Sequence, residues 1–289
     1  MTSLAADHAA CAAALRRSGS SFMLPIRLLP EAKRRGTTAI YAFCRRADDL
    51  VDDAADAASA SAALEAFRRE TLATLAGAAA DDPVLRALAD TVRRFAVPPS
   101  SVVDVLDGVR MDLERQTYGT FAELEAYCRR VASAVGVAAI HVWGYTSRAA
   151  LDLAHDCGLA FQLTNILRDI PEDLGRGRIY LPEEDFAAAG CTPDELRAGR
   201  LGPGFERLAA LSVDRAAACY ARAEPLDRLL STDGRVVFRA MFGVYRSMLR
   251  RVRLAGAGIF VSRVRPSRPR TVAAAAATVL LGPRGSRWL

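Results

Sequence analysis

Apolar residues along this 289-residue chain recur at intervals of three and four, the period of a helix with one buried face. Stretches that alternate in the manner of a half-buried strand are nearly absent. The periodicity predicts helices over roughly 30–53, 61–77, 82–95, 99–115, 121–144, 147–170, 204–230 and 234–256. Turn signals separate them at Pro98-Pro99, Tyr118-Gly119, Gly175 to Gly177, Gly202-Pro203-Gly204 and Asp233-Gly234. Thr192-Pro193-Asp194-Glu195 reads as an N-cap with proline at the first helical position and acids behind it. The alanine-rich stretch 54–63 reads as a surface loop or a helix start, and the Arg- and Pro-bearing tail 265–289 gives no assignment. With no internal repeat and no long linker, the expectation is one all-α domain over 1–289, a single helical bundle around a deep central apolar cavity.

Two predicted helices carry acids where the pattern would allow apolar residues. The first has Asp48-Asp49-Leu50-Val51-Asp52-Asp53, and the second, about 120 residues on, has Asn165-Ile166-Leu167-Arg168-Asp169-Ile170-Pro171-Glu172-Asp173. Oxygen ligands repeat every four residues: Asp48 and Asp52, Asp49 and Asp53, and Asn165, Asp169 and Asp173. Four residues is about one helical turn, so each set stacks on one face. Such a ladder repels itself unless a cation sits on it. Two facing ladders would hold Mg²⁺, which takes one or two carboxylates plus substrate phosphates. The competing reading of the first ladder is an acidic solvated face, against which the apolar Ile40 to Cys44 upstream counts. For the second it is a buried structural network, since Gln162 and Asn165 continue its polar line through an otherwise apolar helix. Pro171 removes a backbone donor and predicts a kink or bulge between Asp169 and Asp173.

Neighbouring residues add cationic and hydroxyl groups. Arg45, one turn before Asp49, can meet phosphate oxygens or simply pair with that carboxylate. Gly175-Arg176-Gly177-Arg178 is either a cationic flap over a diphosphate or an ordinary helix-ending loop. Ser18-Gly19-Ser20-Ser21-Phe22 offers hydroxyls to phosphate, or an N-cap to a helix.

Composition narrows the setting. Hydrophobic residues make up 51% and aromatics 7%, and alanine and leucine dominate, which favours helices. The net charge of +6 suits anionic diphosphates or an anionic membrane surface as well as a basic solvated exterior. The six cysteines form no C-x-x-C pair, the three histidines fit no zinc pattern, and the thiols read as small buried residues in a reducing compartment. Residues 1–17 lack the basic start and apolar core of a signal peptide. The longest C-terminal apolar run, Val272 to Leu281, is too short to span a bilayer, which takes roughly 20 residues. The expected location is the cytoplasm, or the inner membrane face through weak, salt-sensitive peripheral attraction. Nothing points to nucleic acid, and no feature demands more than a monomer.

The chain resembles the squalene/phytoene synthase family of head-to-head prenyltransferases over roughly 15–265. The resemblance rests on Ser18 to Phe22, on Tyr41-Ala42-Phe43-Cys44-Arg45 running into Asp48–Asp53, and on Tyr127-Cys128-Arg129-Arg130-Val131-Ala132 with Val135-Gly136. It continues through Gln162 to Asp169, Glu172-Asp173, Gly177 to Pro182 and Tyr245-Arg246. The family pattern usually has Gly where this chain has Pro171.

The resemblance implies an all-α bundle of the isoprenoid-synthase type. It further implies an enzyme that joins two identical prenyl diphosphates through a cyclopropyl diphosphate, giving phytoene from C20 or presqualene diphosphate and squalene-type products from C15. It places Mg²⁺, or Mn²⁺ in its stead, on Asp48, Asp52, Asn165, Asp169 and Asp173. Diphosphate binding falls to Ser18, Ser21, Arg45, Asn165, Arg178 and Arg263. The reaction centre falls to Tyr41, Arg45, Tyr127, Gln162 and Tyr245. No glycine motif marks an NADPH site, which leans towards a redox-neutral product. Two other readings are a class I terpene cyclase and a non-catalytic helical assembly factor of the same fold. The paired Asp169 and Asp173, with Arg178-Ile179-Tyr180-Leu181-Pro182 after them, speak against the first. The intact acids speak against the second.

Overall fold

The computed structural model describes residues 3–20, 22–114, 117–265 and 268–285, which form helices and no strand among them. In chain order these are α1 (Leu4–Arg17), α2 (Met23–Ile26), α3 (Glu31–Asp52), α4 (Ala57–Leu75), α5 (Pro83–Phe95), α6 (Pro99–Glu114) and α7 (Phe121–Cys128). A π-helical turn, Arg129–Ser133, joins α7 to α8 (Ala134–Trp143). There follow α9 (Ala149–Gly175), α10 (Glu183–Ala189), α11 (Pro193–Arg197), α12 (Gly204–Ala223), α13 (Leu226–Leu229) and α14 (Thr232–Ala255). A 3₁₀ segment, Gly256–Phe260, precedes α15 (Arg268–Gly285).

The predicted helices are all present, with informative differences at their ends. The 204–230 helix divides at Pro225, which starts the separate α13. The 121–144 helix contains the π turn, and 54–63 starts α4 behind the N-cap Asp56. The tail, left unassigned by its sequence, is helical from Arg268 and packs along α14. Thr192 forms a full capping box with Glu195. Five cysteines are buried, Cys44 is half-buried, and all six are free thiols.

The kink or bulge expected at Pro171 does not end the helix. Helix α9 runs unbroken through it to Gly175. A proline costs the bond to the carbonyl four residues back, and α9 as a whole packs against α12, α8, α14 and the π turn.

Packing fixes how α9 meets its neighbours. A Cβ at Gly158 would stand 2.5 Å from Ser133 Cα and 2.7 Å from its nitrogen, so only glycine lets α9 approach the π turn this closely. Ser133 is fully buried and donates to the His155 carbonyl at 2.8 Å. This contact sets Tyr127, just before the π turn, beside α9. Lys33, the only lysine in the chain, donates to the Trp143 carbonyl (2.5 Å), Ser231 Oγ (3.2 Å) and Asp233 Oδ1 (2.9 Å). It thereby ties the start of α3 to the end of α8 and the start of α14. One large apolar core runs through the bundle, from Phe43 on α3 to Leu167 on α9 and Phe242 on α14.

Candidate active site

Each acidic ladder stands on one helix, but a third helix brings them together. Asp48 and Asp52 project from the last turns of α3, and Asp169 and Asp173 from the last turns of α9. Between them stands Asp112 on α6. It accepts from Tyr180 Oη at 2.8 Å and from Tyr127 Oη at 3.2 Å. Burial pushes the Asp112 carboxyl above its usual range, against the pull of Tyr180, Arg178 and Tyr127.

Asp48 is exposed to solvent, yet much of the protein lies close around its carboxyl. That desolvation, with the charges of Asp112 and Asp52, pushes its carboxyl up to about 7. Asp173 is likewise pushed up to about 7, by desolvation first and Asp169 next, while Arg178 and Arg176 oppose. Asp112 acts on both residues, so the two ladders share one electrostatic field.

Arginines already partner the other acids. Arg176 donates to Asp52 Oδ2 at 3.0 Å, and Arg178 stands 3.8 Å from Asp52 Oδ1, linking the end of α9 to the end of α3. Asp169 is held by Arg168 at 2.9 and 2.5 Å and by Arg263 at 2.7 Å, and Arg263 also reaches Glu172 at 2.9 Å. Arg45 pairs with Asp49 at 2.5 Å, the simpler of the two roles its spacing allows. Asp53 is the exposed C-cap of α3 and joins none of this. The loop after α9 ends the helix in the ordinary way: Arg176 N and Arg178 N return to the Asp173 carbonyl, and Gly177 takes φ 77°. Its guanidinium groups nonetheless face the opposite ladder.

Two aromatic groups flank the acids. Tyr118, Tyr127 and Tyr180 cluster around Asp112, with Tyr127 and Tyr180 stacked at 5.3 Å. Burial raises the pKa of both Tyr127 and Tyr180, so each phenol stays protonated and donates to Asp112. On the other side, Tyr245 of α14 stacks on Phe161 at 4.2 Å and on Phe22 at 5.5 Å. Tyr41 meets the Phe22 edge and donates to Ser18 Oγ at 2.7 Å. Gln162 accepts from Asn165 Nδ2 at 3.3 Å. Ser21 lies outside the described residues. A small cavity of about 10 Å³ lies beside Ile166, Ile170, Asp173 and Arg178.

The donors fit a hard divalent cation. Every side chain expected to ligate offers oxygen, and Asn165 Oδ1 is buried with no hydrogen-bond partner. Desolvation and neighbouring acids hold the Asp48 and Asp173 carboxyls up near 7, and a cation beside them would favour their ionised form. Among the described residues no three acid, histidine or cysteine side chains stand close enough to share one ion. Mg²⁺ bound through one or two carboxylates and substrate phosphates does not require three.

Sequence reading missed Asp112, and assigned no role to Tyr180, Phe22 or Phe161. Asp112 lies between Met111 and Leu113 on a helix that also carries Asp104, Asp107 and Glu114, and its partners lie 15 and 68 residues away. Nothing in the local pattern separates it from those neighbouring acids.

The model of the squalene/phytoene synthase family matches residues 15–270. The chain is 37% identical to the 15-cis-phytoene synthase of Synechococcus elongatus over 86% of its own length and 84% of the relative's. It is equally identical to the phytoene synthase of Mycobacterium tuberculosis, over 93% and 90%. Its fold superposes on a solved dehydrosqualene synthase with a TM-score of 0.86 at 31% identity, covering 94% of this chain and 95% of that one. For the squalene synthase of Alicyclobacillus acidocaldarius the TM-score is 0.74 at 32% identity, over 89% and 93%.

Proposed function

The chain belongs to the squalene/phytoene synthase family, and we propose that it is a prenyltransferase joining two identical prenyl diphosphates head to head. The cyclase and assembly-factor readings are not favoured. The observation that carries the proposal is the meeting of two ladders, from α3 and α9, on Asp112 between two aromatic groups. In this reading one catalytic domain spans 1–289.

Asp48, Asp52, Asn165, Asp169 and Asp173 would hold Mg²⁺, or Mn²⁺ in its place. Bound there, the metal neutralises the departing diphosphate as a Lewis acid. Arg176 and Arg178 on Asp52, and Arg168 and Arg263 on Asp169, hold those carboxylates before substrate arrives. The same guanidinium groups are planar donors that match phosphate oxygens, and would meet a diphosphate held between the two ladders. Arg45 and Ser18 stand on the same side of the first ladder.

The stacked rings of Phe22, Phe161 and Tyr245, with Tyr41 at their edge, make an aromatic wall beside the acids. Their faces stabilise an allylic cation and exclude the water that would quench it. The acceptor's double bond attacks C1 of that cation, a proton is lost, and a cyclopropane closes. The second diphosphate leaves as the ring rearranges, and the resulting cation loses a second proton to close the central double bond of phytoene. Tyr127, held by Asp112, and Gln162, held by Asn165, are oriented polar groups at the reacting centre.

The substrate is proposed to be C20 and the product phytoene. Support comes from the phytoene synthases at 37% identity. The test is incubation of the purified chain and Mg²⁺ with farnesyl or geranylgeranyl diphosphate, with and without NADPH, followed by mass spectrometry. Phytoene from the C20 substrate, unaffected by NADPH, is expected. A coupled product from C15 alone would overturn the chain length, and no coupled product from either would overturn the reaction.

A further inference from the structure

The outward side of α15 carries no charge. Between Arg270 and Arg284 the sequence holds no Asp, Glu, Lys or Arg. The inward side is fixed to the bundle: Ala274 and Ala275 are buried and Thr278 is only 1% exposed. A Cβ at Gly243 of α14 would stand 2.3 Å from Thr278 Oγ1 and 2.6 Å from the Ala274 carbonyl, so the two helices touch through their backbones. Arg239, paired with Asp227, donates to the Val279 carbonyl at 3.1 Å, and Arg246 donates to the Pro283 carbonyl at 2.7 Å.

What faces outward is therefore set. Val272, Leu280 and Leu281 are 52%, 80% and 61% exposed, and Ala273 and Ala276 are exposed with them. Positions 272, 276 and 280 lie one turn apart and form a single stripe. An exterior helix normally carries its polar residues on that side. Here the stripe is bracketed by arginines instead, the exposed Arg270 at one end and, at the other, the exposed Arg284, whose Nε lies 3.7 Å from the buried Glu224. Alongside runs an open groove of about 450 Å³ between α12, α14 and α15, lined on its polar side by Glu224, Arg246, Ser247, Arg250 and Arg253, so that arginines outnumber the one acid. Arg253 is an exposed side chain paired with the exposed Asp214.

Apolar residues on one face with arginines around them match an anionic lipid surface, where side chains enter the headgroup boundary and guanidinium groups meet phosphates. A spanning role is excluded by length. The helix runs from Arg268 to Leu281 before Gly282 turns it at φ 74°, about 14 residues or roughly 21 Å, against about 30 Å of hydrocarbon. Contact with a second copy of the chain would bury the stripe but bring the two arginine rims together. We infer that α15 is a membrane-docking helix lying in the plane of an anionic lipid surface. The inference is independent of the catalytic reading, because binding is read without turnover.

The test is co-sedimentation of the full chain with vesicles of phosphatidylcholine alone or mixed with phosphatidylglycerol. Binding to the mixed vesicles, weakened by salt, is expected. Leu280→Glu combined with Leu281→Glu should lower the partition about tenfold or more, since burying even one leucine is worth that much. The circular dichroism spectrum and diphosphate release in detergent should not change. Leu280→Trp provides a check that requires no disruptive substitution: its added emission should shift to the blue on mixed vesicles. The inference is overturned if the wild-type chain stays in the supernatant, or if the double variant sediments as well as wild type. Emission of the Leu280→Trp variant unmoved by lipid, or a wild-type dimer that the double variant splits with no lipid binding, would also overturn it.

Discussion

Asp52 and Asp169 are the ladder carboxylates that arginines hold. Each is paired with guanidinium groups rather than left to repel its neighbours. Asp52→Asn or Asp169→Asn should abolish turnover, measured as diphosphate release, and leave the helical circular dichroism intact. For Asp52, whose partners are solvent-exposed or distant, the stability change should stay within about 1 kcal/mol, as for other surface pairs. Full activity in either variant would remove that residue from the metal site.

Asp48 gives a second prediction, on pH. Desolvation and the charges of Asp112 and Asp52 push its folded-state carboxyl from an ordinary value of 3.8 up to about 7. The folded chain then binds more protons here than the unfolded chain between those values. The stability this contributes is complete below about pH 4 and is lost as pH rises through 7. His8, His141 and His155, each lowered by burial, act in the opposite sense near their ordinary value of 6.5. The comparison of Asp48→Asn with wild type isolates the carboxylate. In metal-free protein the variant's melting temperature should gain on wild type as pH rises from about 5.5 to 8. A constant difference would mean that Asp48 is not held in its neutral form.

The ladders were legible in the sequence because each is local: spacing along one helix fixes its face without knowledge of the fold. Asp112 was not legible, because what makes it a junction is Tyr127 from α7 and Tyr180 from the loop after α9. The pairing of Arg263 with Asp169 likewise joins distant segments, and the Val264 amide reaches the Arg168 carbonyl at 3.3 Å to place it there.

Helix α9 shows where local rules give way to packing. Its proline predicts a kink or bulge, and the helix continues through it for another turn and carries Asp173 with it. The lost backbone bond is a cost borne by the packing of the whole helix. Pro171→Gly restores a donor but adds backbone freedom, and glycine in a helix interior is itself unfavourable by roughly 1 kcal/mol relative to alanine. The two effects oppose one another. The variant should keep at least a large share of wild-type turnover and change its apparent Mg²⁺ requirement only modestly, read from rate against Mg²⁺ concentration. Loss of turnover with an unchanged fold would mean that the proline itself sets the aim of Asp173.

Helix α15 shows the converse. Its alanine run has no helical period to read, because every side of it is apolar. Only the packing of Thr278 and Ala274 on Gly243 decides which side is buried.

Across the whole molecule, a bundle of helices brings distant acids into one field and sets aromatic rings beside them. Family membership and the solved structures account for that architecture. The assignment of roles within it rests on electrostatics: carboxyls held near 7, a buried amide oxygen without a partner, and arginines that occupy the remaining acids.

The most direct measurement is diphosphate release from a prenyl diphosphate by the purified chain, followed with Mg²⁺ present and after its removal by EDTA. The account predicts release with Mg²⁺, none in EDTA, and recovery when Mg²⁺ or Mn²⁺ is returned. Release that continues unchanged in EDTA would contradict it.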